Sequence, residues 1–430
     1  MRRLNEIGRT IHYFCRPLNQ KAMKKGILLF VVILLTMSIF SQEEENKLKV
    51  KIGGFVNYNM FYDSRENVAA VDGLFLFYPK NEKIENRVDV YDNPSLTMLS
   101  MASRIGVSFF GAEVLGAKLG GKIEADFTLV SGATTVRFRH AYVKLDWDKT
   151  SLLAGQTWHP LFATDCFPTT LGIATGAPFQ PFSRTPQIRL TYKSGQFRFL
   201  GALISQMDYA STGPLGKSPQ YMRNAVVPEF ALQSEFVQNH FLIGVIGDLK
   251  TIKPRTTTAG TEGTYKATET LTTYSVKLFS KYKKDKLEAK FSAMYGQNMY
   301  DVLMNGGYGV SGYDSLTGAE TYTPLSGLYS WANVIYGNQL KFGFFAGYYQ
   351  NLGSSDPLLN ASTIWARGAD IEALLRLMPT VFYTVNNLRL GFEFEWNQAQ
   401  YGSVNLSDGL VNGAKAVNGQ RVMFDITYYF

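Results

Sequence analysis

The feature that most constrains this chain is a strict alternation of apolar and polar residues over long stretches. Between residues 117 and 129, Ala117, Leu119, Gly121, Ile123, Ala125, Phe127 and Leu129 share one parity, while Lys118, Gly120, Lys122, Glu124, Asp126 and Thr128 share the other. A helix would scatter the four charges around its circumference. A period of two sorts them completely onto one side of a strand. The same pattern returns over 48–62, 272–282, 287–295 and 388–397.

Segments of this length exceed the usual globular strand of about 5–6 residues. The chain carries 30 Phe and 25 Tyr against a charged fraction of 18%, and aromatic residues favour half-buried strands. Repeated along every strand, the outward aromatics would make an apolar band that only lipid tolerates. Mean hydropathy near zero (−0.08) excludes a polytopic helical membrane protein. It is compatible with a barrel, whose strands turn alternate polar residues inward. After residue 41 no stretch approaches 18 apolar residues, so no transmembrane helix is expected. The expected fold is all-β, a transmembrane antiparallel up-and-down β-barrel of about sixteen strands, with fourteen to eighteen admissible. The strands are expected at 48–62, 96–110, 117–129, 135–147, 151–158, 186–194, 196–206, 225–236, 240–250, 270–283, 286–298, 328–336, 339–350, 368–384, 388–400 and 420–430. Tight turns are expected at Ser194-Gly195-Gln196, Lys284-Asp285-Lys286, Gly337-Asn338 and Asn386-Asn387. Long connections are expected at 63–95, 159–184, 207–224, 251–270, 300–325, 352–366 and 401–419. Short turns on one side and long loops on the other are the outer-membrane barrel pattern, and an even count puts both termini on the short-turn, periplasmic side.

Residues 1–41 read as a leader with a signal peptide, competing with a membrane anchor. Lys24-Lys25 precede an apolar run from Ile27 to Phe40 that is short for a bilayer span and right for a secretory segment. Cleavage is expected near Ser41, and Met23 is a second candidate start. A short periplasmic tail, 42–46, would then lead into the barrel, 47–430. Most of the net charge of +8 belongs to the leader, which holds seven Lys/Arg and one acid and leaves the rest of the chain at +2. A nucleic-acid partner loses its main support on that count. Cys15 leaves with the leader. Cys166 then stands alone, as a thiol packed in a loop or a reactive one, and no intramolecular disulfide is expected.

Energetics decide which face is which. A lysine facing lipid at mid-membrane costs roughly 2–4 kcal/mol, so Lys118, Lys122, Glu124 and Asp126 are expected to line a wet interior. Sixteen strands enclose an aqueous channel rather than a packed core. Passive diffusion of small hydrophilic solutes, anions among them, follows as the expected function. The connection 159–184, the third on the long-loop side and hence the third loop, is rich in aromatics, Pro and Gly and is expected to fold inward as a constriction loop, with Asp165, Phe167, Phe179 and Phe182 its candidate residues. An external cap or subunit contact is the competing reading of that loop. Arg137, Arg139, Arg189 and Lys193 are the basic selectivity candidates, with Glu229 and Glu235 balancing them beside Glu124 and Asp126. Arg137 and Arg139, however, share parity with Val143, Leu145 and Trp147, which look lipid-facing. Either a bulge shifts the phase or the arginines sit at the rim.

Several short runs resemble those of general and substrate-preferring porins, most closely the DcaP-type trimeric porins. They are Ser103-Arg104-Ile105-Gly106, Val136 to Val143, Gly155-Gln156-Thr157-Trp158 before the third loop, and Tyr428-Tyr429-Phe430. The resemblance implies a homotrimer of separate pores. The alternation Val422, Phe424, Ile426, Tyr428, Phe430 resembles the carboxy-terminal insertion signal read by the barrel-assembly machinery, with outer-membrane lipids as the surrounding partner. An outer-membrane barrel enzyme of lipase or protease type, or a structural or adhesive barrel, are the alternatives. No cofactor, metal site or catalytic residue is assigned. Gly307-Tyr308-Gly309-Val310-Ser311-Gly312 matches a dinucleotide-binding pattern, but lies in a long connection with no following helix. His140, His159 and His240 show no metal-ligand spacing.

Overall fold

The computed structural model describes residues 47–130 and 133–430. The leader with its cleavage point, Met23 and the tail 42–46 lie outside the described residues. Sixteen antiparallel strands, numbered along the chain, close into one barrel. They are β1 (Lys49–Asp63), β2 (Ser95–Leu99 continued by Arg104–Val114), β3 (Ala117–Val130), β4 (Ala133–Asp146), β5 (Thr150–Trp158), β6 (Arg184–Ser194), β7 (Phe197–Ile204) and β8 (Glu229–Gln238). The second half comprises β9 (Phe241–Ile252), β10 (Leu271–Lys284), β11 (Leu287–Gln297), β12 (Glu320–Gly337), β13 (Leu340–Ser354), β14 (Ile371–Val385), β15 (Leu388–Val404) and β16 (Val411–Tyr429). Each strand pairs with its sequence neighbours. β16 returns to β1 from Phe55 opposite Tyr429 to Asp63 opposite Arg421, which leaves no edge and satisfies the backbone within the sheet.

The closing seam ends on the last residue. Gly54 N–H donates to the Phe430 carbonyl at 3.2 Å, and Phe430 N–H donates to the Gly54 carbonyl at 3.1 Å. A Cβ at Gly54 would lie 2.2 Å from the Arg104 carbonyl, so β1 and β2 approach as only glycine permits. Gly54→Ala is therefore expected to destabilise the barrel by about 2 kcal/mol, read as a lower urea midpoint in lipid vesicles. An unchanged midpoint would mean the seam has slack.

Turn chemistry explains one end of the barrel. Asn239, Asp285 and Asn386 adopt φ of 50° and Gly195 φ of 58°, the left-handed values that two-residue hairpins demand and these residue types supply. The expected tight turns all occur at this end. At the other end, three expected boundaries are corrected. The connection expected at 401–419 shrinks to 405–410, because β15 runs on to Val404 and β16 starts at Val411. The connection expected at 300–325 gives up Glu320–Leu325 to β12, and 352–366 gives up its first residues to β13. Beyond the bilayer both strand faces meet water, so pairing continues while the apolar alternation stops. Loop β-structure extends this wall. Gly306–Tyr313 pairs with the start of β12 and with Ile364–Arg367. A Cβ on Gly307 would lie 2.0 Å from the Trp365 carbonyl, so a glycine of the dinucleotide-like run serves strand packing.

Candidate permeation pathway

Residues 159–183 leave β5 and turn into the barrel. Trp158 stacks on Phe162 at 3.9 Å, and Pro160–Phe162 forms a single 3-10 turn, which aims the chain inward. The loop then meets the far wall. Lys277 of β10 donates to the Leu161 carbonyl at 2.8 Å and to Gln180 Oε1 at 2.9 Å. Trp331 Nε1 of β12 donates to the same oxygen at 2.9 Å. Glu393 of β15 accepts the Leu171 and Gly172 N–H groups at 2.9 and 3.3 Å. A loop rooted on β5 and β6 that reaches β15 crosses the interior.

A second segment joins it. Phe75–Pro79, from the connection between β1 and β2, is buried throughout. Phe75 sets its edge on Phe182 at 4.8 Å. Arg376 of β14 ties both segments down, donating to the Ala177 carbonyl at 2.9 Å and to the Leu76 and Phe77 carbonyls at 2.9 and 3.1 Å. The sequence reading gave this segment no inward role. Its signal was present as Leu74-Phe75-Leu76-Phe77-Tyr78, an apolar run inside a polar connection.

The four candidate loop residues have separate placements. Phe179 and Phe182 are buried, packed against Phe345 and Phe75. Phe167 is half-buried beside Phe162, and Asp165 is half-buried and paired with Arg198 of β7. Cys166 is fully buried and its Sγ lies 3.1 Å from the Ser280 carbonyl. Burial pushes its thiol above the ordinary range, which suppresses the reactive thiolate. Folded protein is thus expected to resist maleimide for as long as the barrel stays folded, with full labelling after denaturation. Stoichiometric labelling of folded protein, read by mass spectrometry, would show the loop open.

The wall facing the loop root carries charge. On β4 the register slips between Glu124 opposite His140 and Ala125 opposite Phe138, which leaves Arg139 as the extra residue of a β-bulge. This resolves the parity conflict. Val136, Phe138 and Val143 stay outward and exposed, while Arg139 and His140 are buried inside. Gln156 covers the bulge by donating to the Phe138 and Arg139 carbonyls at 2.9 and 3.4 Å. Arg137 forks Asp126 at 3.0 and 2.8 Å. Arg139 reaches Glu124 at 2.9 Å and Asp126 at 2.6 Å. Lys122 meets Glu124 at 2.5 Å. Two arginines that are not among the selectivity candidates read from the sequence complete the group. Arg184 lies 4.9 Å from the Trp158 ring and donates to the Tyr209 hydroxyl at 2.8 Å, and Arg104 enters from β2. Arg184 Nε and Nη1, Arg139 Nη2 and Arg104 Nε are buried with no hydrogen-bond partner. Lys122, Arg104, Arg137, Arg139 and Arg184 are thus five cations around the two carboxylates Glu124 and Asp126, while Arg189 is held at 2.5 Å by the Trp158 carbonyl.

The remaining candidates lie elsewhere. Lys193 joins Lys144, Arg189 and Arg198 around a polar cavity of about 270 Å³ next to Asp165. Lys118 is exposed near the turn end. Glu235 is buried against Arg198. Glu229 is buried against His159 at 2.7 Å and lies beside Asp248. That group joins residues far apart in sequence, and no local spacing announces it.

No family model and no curated protein matches the chain. Solved structures do. The outer membrane channel DcaP of Acinetobacter baumannii superposes with a TM-score of 0.64 at 18% identity, covering 91% of this chain and 99% of that one. OmpT, an outer-membrane protein of Vibrio cholerae, gives 0.54 at 10% identity over 91% and 99%. Salmonella typhi OmpF gives 0.52 at 9% identity over 90% and 98%. The chain therefore has the closed sixteen-strand fold of outer-membrane porins. Within that class its fold is DcaP-like.

Proposed function

We propose that the chain is an outer-membrane porin for passive diffusion of small hydrophilic solutes, with anions favoured. The observation that carries this reading is the set of buried, unpartnered guanidinium nitrogens on Arg104, Arg139 and Arg184 beside the loop root. A buried guanidinium nitrogen without an acceptor is costly, and the positive field of these groups favours an anion passing the constriction beside them. Loop 159–183 and Phe75–Pro79 narrow the lumen next to these groups and set the size limit. Arg137, with Lys122 behind it, holds the carboxylates that keep Arg139 in place. The apolar exterior meets outer-membrane lipids, and the Phe430 strand is the segment offered to the assembly machinery. A homotrimer is part of the proposal. It draws on the resemblance to trimeric porins and on the trimer form in which Vibrio cholerae OmpT was solved. Swelling of proteoliposomes in isosmotic solutes tests the reading. Small sugars and small organic anions should enter, the anions faster than cations of equal size. Vesicles that hold folded protein and do not swell would refute it. Native mass measurement in detergent should give three chains.

A further inference from the structure

Beneath the root of the third loop lies a buried acidic pair with no cation of its own. Glu229 begins β8 and Asp248 lies on β9, and their side chains are 2% and 6% exposed. Three neighbours account for the other charges. Lys250 is spent on Asp301 and on the Asn298 carbonyl at 2.7 Å, and Asp301 also accepts from Gln206 at 2.9 Å. His159 is neutral by its hydrogen bonds. Its Nδ1 accepts from Leu161 N–H at 3.2 Å, so that nitrogen carries no proton, and Nε2–H is left to donate to Glu229 Oε1 at 2.7 Å. One ammonium therefore serves three carboxylates, Asp301, Glu229 and Asp248, which leaves two negative charges in excess at a depth where an isolated ion is expensive.

Independent atoms point into the same place. Asp248 Oδ2 is buried with no N–H or O–H donor, and its carboxyl lies within hydrogen-bonding reach of the Glu229 carboxyl, a contact that needs a cation or a proton between them. Ser275 stands directly opposite Asp248 on β10, is 2% exposed, and its Oγ is likewise unpartnered. The His159, Glu229 and Asp248 donor atoms lie within 4.8 Å of one another. We propose that Glu229 and Asp248, assisted by the Ser275 hydroxyl, hold a hard divalent cation, calcium or magnesium, that fastens the root of the third loop. Carboxylate and hydroxyl oxygens are the donors such ions take, and water completes their shell. His159 is not a ligand, because the proton on Nε2 occupies the lone pair a metal would need. It aligns Glu229 from behind, as outer-shell groups do. The rival arrangement is a single proton shared between Glu229 and Asp248.

The test uses full-length mature protein refolded without lipopolysaccharide, which binds divalent ions itself. Calcium, and separately magnesium, is measured by equilibrium dialysis with elemental analysis, and folding is confirmed by heat-modifiable gel migration. Wild type is expected to hold one ion per chain more than Asp248→Asn. Ser275→Ala should weaken that ion by about tenfold, the usual scale for a supporting ligand. Removing the ion with a chelator should lower the unfolding temperature of wild type but not of Asp248→Asn. Equal binding by wild type and Asp248→Asn overturns the proposal. If Asp248→Asn does not fold, wild type and Ser275→Ala decide, and identical affinities in those two overturn it. A chelator-insensitive wild type with an Asp248→Asn variant as stable as wild type would establish the shared proton instead.

Discussion

Replacing Arg104 and Arg184 together by glutamine lowers the preference for anions over cations by about tenfold, read as the zero-current potential in a salt gradient. A unit charge roughly 8 Å from a passing ion is worth about 2 kcal/mol at an effective dielectric of about 20. Salt screens part of this, so two removed charges leave on the order of one decade, about 1.4 kcal/mol. These two arginines are the right ones to change because neither forms an ion pair with a carboxylate among the described residues, Arg184 donating only to the neutral Tyr209 hydroxyl. Removing Arg137 would instead orphan Asp126, which it forks at 3.0 and 2.8 Å, and mix a folding defect into the readout. An unchanged zero-current potential would place the selectivity elsewhere, at the cavity lined by Lys144, Lys193 and Arg198.

Arg376→Ala raises single-channel conductance by about twofold and adds open-channel noise. One guanidinium holds both inward segments, through the Ala177 carbonyl on one and the Leu76 and Phe77 carbonyls on the other. It also sits 5.4 Å from the Phe179 ring and hydrogen bonds Asn397. Its loss removes a donor from three carbonyls, at about 1–3 kcal/mol for each one left unsatisfied, and the ion-pair partner of the buried Glu395 at 3.6 Å. The segments then leave the wall, and current follows the wider cross-section. Quiet channels of wild-type conductance would mean that Lys277, Trp331 and Glu393 suffice to hold the loop.

What was legible in the sequence divides along physical lines. Strand existence was legible because each strand has one face in lipid and one toward polar groups, so the alternation is written residue by residue. Segment 117–129 matches β3 almost end to end for that reason. The left-handed turns at Asp285, Asn386 and Gly195 were legible because these are the residue types that tolerate them. The bulge at Arg139 was visible only as a contradiction in parity. Its position depends on the register against Glu124 and Ala125 of the neighbouring strand. The upper ends of β12, β13, β15 and β16 were misread as loop because above the bilayer a strand no longer needs an apolar face. The interior partners were the least legible. His159, Glu229 and Asp248 meet across up to ninety residues of chain, and Arg376 finds Leu76 across 300. Closure of the barrel creates those contacts, and local patterns do not encode them.

The most direct test of the central claim is single-channel recording of refolded protein in a planar bilayer under a salt gradient. Large ohmic steps that close in threes are expected, with a zero-current potential of the sign set by anions. A folded, inserted barrel that carries no current would contradict that claim.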